Sequence, residues 1–234
     1  MAAIEIASTP FASDARLVMY HRFSDNLTDS GPNGYNLSGG PASYQTGVFG
    51  KAARYDSGNE SQIAAASSPN IVRAVQANMS WFFKIKPVGT PSGQFGVIGF
   101  PNSGTDYFCI HTNGSTQKLR FTLNAGGGDP GRIDSSIALA DGVWYTVCAI
   151  NDWTNSKLKI WVDSTKDEKT PSLSAGTNTG PFYINGVNIA KGAFDIDELA
   201  VFNGALTDAE YAQIRDGTFD LGRAWEMMMM GVGR

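Results

Sequence analysis

The residues with the most evident chemical capacity are three carboxylates within four positions, Asp195-Ile196-Asp197-Glu198. A retaining glycoside hydrolase needs an acid and a nucleophile facing one sugar from about 5 to 5.5 Å apart. Side chains alternate along an extended strand, so Asp195 and Asp197 share a face, while Glu198 points away unless a bulge turns it. No second glutamate stands at the Glu-x-Asp-x-Glu spacing that would complete such a pair. Cys109-Ile110-His111 sets a thiol and an imidazole side by side, with no Cys-x-x-Cys or third ligand beside them. With His21 and His111 the only histidines, a zinc site or a Ser-His-Asp triad has little material. The glycine-rich run 125–131 has neither the lysine nor the spacing of a phosphate loop. No catalytic residue is assigned, and the chain is read as a non-enzyme.

Binding is better provided for. Asn151-Asp152-Trp153-Thr154-Asn155 joins an amphipathic ring to amide and carboxylate groups, the composition with which a loop holds a sugar. It falls between two apolar strand patterns and reads as a hairpin loop, with Asn151, Asp152 and Trp153 as candidate ligand residues. The alternative is that Trp153 folds back as a lid over the core. At the other end of the chain, Trp225 and Met227, Met228, Met229 and Met230 are costly to leave in water. Methionine suits irregular or shared surfaces. This tail is expected to contact a neighbouring protein or a second copy of the chain; the competing reading is a clasp over an exposed sheet edge.

The elements that must position these residues are strands. Phe194, Ile196, Leu199 and Val201 alternate with a slip of one residue at Asp197-Glu198, which predicts a strand over 194–202 carrying a bulge. Thr207 with Glu210 three residues on is a capping box, predicting a short helix to about Ile214 that stops near Gly217. Cys109 and Cys148, each inside an apolar strand pattern, read as buried thiols, with a disulfide between neighbouring strands as the alternative.

Five segments in order resemble laminin-G-like, concanavalin A-like domains. They are Leu17–Phe23 with the turn Asp29-Ser30-Gly31-Pro32-Asn33-Gly34; Tyr44–Tyr55 with its Gly47-Val48-Phe49-Gly50-Lys51-Ala52; Met79–Ile85; Asp141–Ala149; and Phe194–Tyr211. The resemblance implies an all-β jelly-roll sandwich of two antiparallel sheets with a short helix after the last strand. It also implies a calcium ion at one edge, bridging Asp25 or Asp29 to Asp197, since hard cations take carboxylate oxygens. Against this stands the reading that Asp25 and Asp29 close turns through their own backbone. Val162-Asp163-Ser164 replaces the family's usual Asp-Gly turn, so a wider hairpin is expected there.

At 234 residues and 42% hydrophobic content, the chain is long enough for one sizeable core, and no linker divides it. The expected organisation is an N-terminal arm over 1–16, the sandwich over 17–217 and a methionine-rich extension over 218–234. A net charge of −4 argues against nucleic acid, and no apolar run reaches the roughly 18 residues of a membrane span. The first ten residues lack a basic start and do not read as a secretory signal. Domains of this resemblance meet glycans outside cells, and release by host lysis is one route there. The expectation is therefore a bacteriophage virion component exposing a lectin-like domain on capsid, neck or tail. Its expected partners are virion proteins, its own copies and cell-surface glycans. A free, calcium-dependent carbohydrate-binding lectin is the alternative.

Overall fold

The computed structural model describes residues 14–67, 70–71, 74–89, 93–100, 107–114, 116–124, 131–172, 176–177, 179–186 and 190–217. Its elements in chain order are β1 (Leu17–His21), β2 (Ser38–Gly39), β3 (Ser43–Thr46), β4 (Lys51–Tyr55), β5 (Ser61–Ile63), β6 (Met79–Pro87), β7 (Gly96–Phe100), β8 (Tyr107–Asn113), β9 (Lys118–Asn124), β10 (Arg132–Ala138), β11 (Tyr145–Asp152), β12 (Lys157–Val162), β13 (Thr165–Lys169), β14 (Phe182–Ile184), β15 (Phe194–Phe202) and α1 (Asp208–Arg215). Among the described residues they form an eight-stranded sheet, β13-β12-β11-β6-β15-β4-β3 with β1 also on β15, and a seven-stranded sheet, β10-β9-β8-β7-β14-β5-β2. Named strands pair antiparallel throughout. This is the expected two-sheet jelly-roll sandwich.

Alternation along the central strands builds two apolar layers. In β6, Trp81, Phe83 and Ile85 face the seven-stranded sheet, where Trp81 meets the rings of Phe100, Phe121 and Phe182. Phe82, one position out of phase, points to the other side and joins Tyr20, Cys148, Ile150 and Phe202 beneath α1. The helix closes this outer layer with Tyr211 and Ile214. The Tyr211 hydroxyl donates to the carbonyl of Asp163 at 2.6 Å. Thr207 and Glu210 make both halves of the capping box. Cys109 and Cys148 are free, buried and on different sheets.

The β12–β13 hairpin departs from expectation. Val162 pairs directly with Thr165, so the connection is a two-residue turn, not a wider one. Asp163 supplies the left-handed conformation at φ 53° in place of glycine, a substitution that short polar side chains tolerate.

The bulge at Asp197-Glu198 has a topological cause. The first half of β15, Phe194–Ile196, pairs with β4 along one edge, while Leu199–Phe202 pairs with β1 along the same edge. The register with β6 on the opposite edge slips between Asp197 and Ala200, and Glu198 takes φ 54°. The two acidic residues thus stand where β15 exchanges one neighbour for another. There, backbone pairing is interrupted and side chains take over.

Candidate functional site

The helix covers only part of the outer face of the eight-stranded sheet. Beyond Phe82, the same face of β6 presents Lys84 and then Lys86, opposite Asp197 and Asp195 of β15. Asp195 is fully buried; its Oδ1 lies 2.5 Å from Arg54 Nε, and its Oδ2 2.8 Å from Lys86 Nζ. Lys86 Nζ stands 5.1 Å from the centre of the Trp144 ring. Lys84 donates to Thr146 Oγ1 at 2.9 Å and lies 5.7 Å from the centre of the Phe49 ring. Burial holds the Lys84 ammonium below its usual range, against the pull of Glu198 and Asp197.

Two loops put these rings in place. Phe49 sits on the 47–50 turn between β3 and β4. Trp144 ends the segment before β11, which is pinned to the end of β6 by Gly142 N to Pro87 O at 3.0 Å and by Gly89 N to Asp141 Oδ1 at 2.7 Å. The large hydrophobic side chains exposed among the described residues are Val48 at 39%, Phe49 at 43% and Val143 at 45%. All three belong to these two loops. The result is a pair of half-exposed rings flanking a row of cations, with the balancing carboxylates buried beneath.

The residues singled out in the sequence fare differently. Asp197 is buried and bonded to backbone amides: Oδ2 accepts from Val48 N at 2.9 Å and Phe49 N at 3.2 Å, and Oδ1 from Glu198 N at 3.0 Å. Asp29 does the same, with Oδ1 receiving Tyr20 N and Gly31 N and Oδ2 receiving Tyr35 N, all within 2.8 Å. Asp25 pairs with Lys51 at 3.7 Å. No group of three or more His, Cys, Asp or Glu stands together as a metal would require, among the described residues. Asp29 and Asp197 are thus engaged by backbone amides and Asp25 by Lys51.

The hairpin residues are also largely spoken for. Asn151 is buried and donates to the carbonyls of Val75 and Ala77 at 2.7 and 2.8 Å. Asp152 is buried, accepts from the Asn155 amide groups at 3.0 Å and lies 3.5 Å from Lys159 Nζ. Trp153 alone of the three is half-exposed. Trp225 and Met227–Met230 lie outside the described residues.

The rings and cations of the outer face were not singled out in the sequence as a site. Phe49, Lys84, Lys86 and Trp144 are up to 95 positions apart in the chain, and each alone resembles an ordinary strand or turn residue.

Two antiparallel sheets, a capped helix over one of them and an uncovered face of rings and charges define a jelly-roll sandwich of binding-domain type. The chain belongs to the concanavalin A-like lectin/glucanase superfamily, whose family model matches residues 57–212. No curated protein matches the sequence. Among solved structures, it is similar to the binding domain of Paraclostridial Mosquitocidal Protein 1 at 15% identity and TM-score 0.71, over 88% of this chain and 53% of that one. It is likewise similar to the botulinum neurotoxin serotype D ligand-binding domain in complex with N-acetylneuraminic acid, at 13% identity and TM-score 0.67, covering 86% and 51%. Domain 4 of the extracellular arabinanase AbnA from Geobacillus stearothermophilus, in complex with arabinotriose, matches at 21% identity and TM-score 0.58, covering 86% of this chain and 98% of that domain. The chain thus spans about half the length of the toxin domains and nearly all of the arabinanase domain.

Proposed function

We propose that this chain is a non-enzymatic glycan-binding domain, and that its binding face is the outer side of the eight-stranded sheet between Phe49 and Trp144. One observation carries the reading: the exposed large apolar residues gather at one place, around a row of cations. Single exposed apolar side chains are ordinary on a protein surface, whereas a group of them marks a contact surface. An aromatic ring accepts the C–H face of a sugar, and the amino and guanidinium groups of Lys86 and Arg54 can donate to its hydroxyls. Domains of this fold solved with N-acetylneuraminic acid and with arabinotriose support the class of ligand. Asp195 and Asp197 of β15 are engaged by Arg54 and Lys86 and by backbone amides, which supports a binding role over attack on a glycosidic bond.

The test is a polysaccharide and glycan-array screen, run with and without chelator and paired with a turnover assay. Phe49→Ala and Trp144→Ala are each expected to weaken binding about tenfold, roughly 1.4 kcal/mol, while Trp153→Ala leaves it unchanged. Full affinity in both ring variants, or release of sugar from any substrate, defeats the proposal.

The setting proposed for this domain is the surface of a bacteriophage particle, for decoration or host attachment. The tryptophan and methionines at 225–230 support it, as side chains suited to burial against a neighbouring protein. Peptide mass mapping of purified particles should find the chain at fixed stoichiometry; its absence leaves a free lectin.

A further inference from the structure

We propose that Asp197 is a positioning residue for the binding face: its buried carboxylate grips the 47–50 turn by two backbone amides and so sets Phe49 in place. The inference rests on the reading of that face as the binding site, and it concerns what holds the face together.

The β3–β4 ladder closes the ends of this turn, pairing Thr46 with Lys51. Val48 and Phe49 are half-exposed, so packing does not anchor them. The flanking Gly47 and Gly50 offer the widest backbone freedom, and Gly50 stands at φ 82°. Within the turn, Gly47 N donates to Gly50 O at 3.0 Å. The two outward amides, Val48 N and Phe49 N, converge instead on Asp197 Oδ2. That carboxylate is 149 positions away from Val48 in sequence and belongs to another strand.

Three features make the grip possible. Asp197 lies at the bulge of β15, where the strand passes from β4 to β1 and its edge is open to a side-chain contact. Gly47 has no side chain to keep the turn away: a Cβ there would sit 2.5 Å from Asp197 Oδ2 and 2.9 Å from the Lys51 carbonyl carbon. The bonds are charge-assisted and shielded from water, which makes them stronger than ordinary amide contacts. Because Phe49 follows Val48 directly, fixing both amides fixes the backbone from which its ring extends, 5.7 Å from Lys84 Nζ.

Hydrogen exchange tests the grip without any ligand. In the full chain, the amides of Val48 and Phe49 should exchange at least about tenfold more slowly than their exposure allows, and that protection should vanish in Asp197→Ala. Gly47→Ala, which leaves β15 untouched, should remove it too. Glycan affinity should drop about tenfold in both variants, and Asp197→Asn, which keeps one carbonyl oxygen for the two amides, should recover it to within about threefold. Free exchange of these amides in the wild-type protein overturns the proposal, even if Asp197→Ala does not fold. So does undiminished affinity in Gly47→Ala. If the wild-type protein binds no glycan while the amides are protected, the functional reading falls and the grip stands.

Discussion

Asp195→Ala should destabilise the fold by about 3 kcal/mol in urea unfolding, whereas Asp134→Ala should cost less than about 1 kcal/mol. Both carboxylates make two bonds to one arginine, with Nε at 2.5 Å in each case. Geometry alone would rank them equal. Burial separates them: the Asp195 side chain is 0% exposed and that of Asp134 35%. Asp195 also takes Lys86 Nζ at 2.8 Å, so its removal strands two cations over an apolar sheet. Arg54 and Lys86 are 30% and 20% exposed and can partly turn to water, which keeps the cost at the lower end for a broken buried pair. A loss of this size is a large share of the roughly 5–15 kcal/mol that holds a domain folded. Equal losses in the two variants would show that burial is not what distinguishes the pairs.

Glu198→Gln should do the reverse and stabilise the protein, by about 3 kcal/mol at pH 8 and by less than about 1 kcal/mol at pH 5. Glu198 is 5% exposed, and burial pushes its carboxyl from 4.5 up to about 7. The Tyr20 hydroxyl, which donates to it, and the charges of Arg22 and Lys84 pull the other way, while neighbouring Asp197 adds to the rise. The protonated group therefore contributes its full stability below the ordinary value, and that contribution is lost as pH climbs through about 7. Glutamine keeps an oxygen for Tyr20 and never ionises, so the variant escapes the loss. The wild-type profile alone would hide this. His21 and His111 are held neutral by burial down to about 4. Between their ordinary value and 4, the unfolded chain takes up protons that the folded chain refuses, so acid costs stability over much the same range. Burial also pushes Asp197 up to about 6, so two carboxylates oppose two histidines, and only the difference between the two proteins isolates Glu198. A variant no more stable than wild type at pH 8 would mean that this carboxylate is adequately solvated.

Much of the fold is legible in the residues themselves because local rules govern it. Alternation in Met79–Ile85 and in Phe194–Phe202 determines strands with two buried faces. The Thr207–Glu210 box determines where the helix begins, and the one-residue slip at Asp197-Glu198 determines the bulge. Each depends on neighbours within a few positions, and each stands in the structure as the pattern implies. The tight turn at Asp163 was not legible, since aspartate adopts a left-handed conformation only where the flanking strands demand it.

The proposed binding face belongs to the other category. Composition and alternation put charges on β6 and β15, yet they do not say which carboxylate meets a cation and which meets an amide. That is decided by which strand lies alongside. Asp195 faces β4 and finds Arg54; Asp197, two residues on, faces the gap where β4 gives way to β1 and finds the 47–50 turn. Likewise Asn151 and Asp152 have a sugar-binding composition, but their side chains are consumed by the Val75–Ala77 loop and by Asn155. The sequence by itself determined the strands, the helix cap and the place of the bulge, because those show in patterns close along the chain, while the sandwich was implied by a family resemblance. Only the tertiary structure decided that the acidic strand is a set of anchors and that Phe49 and Trp144 stand beside Lys84 and Lys86, because side-chain partners across a sheet are set by topology.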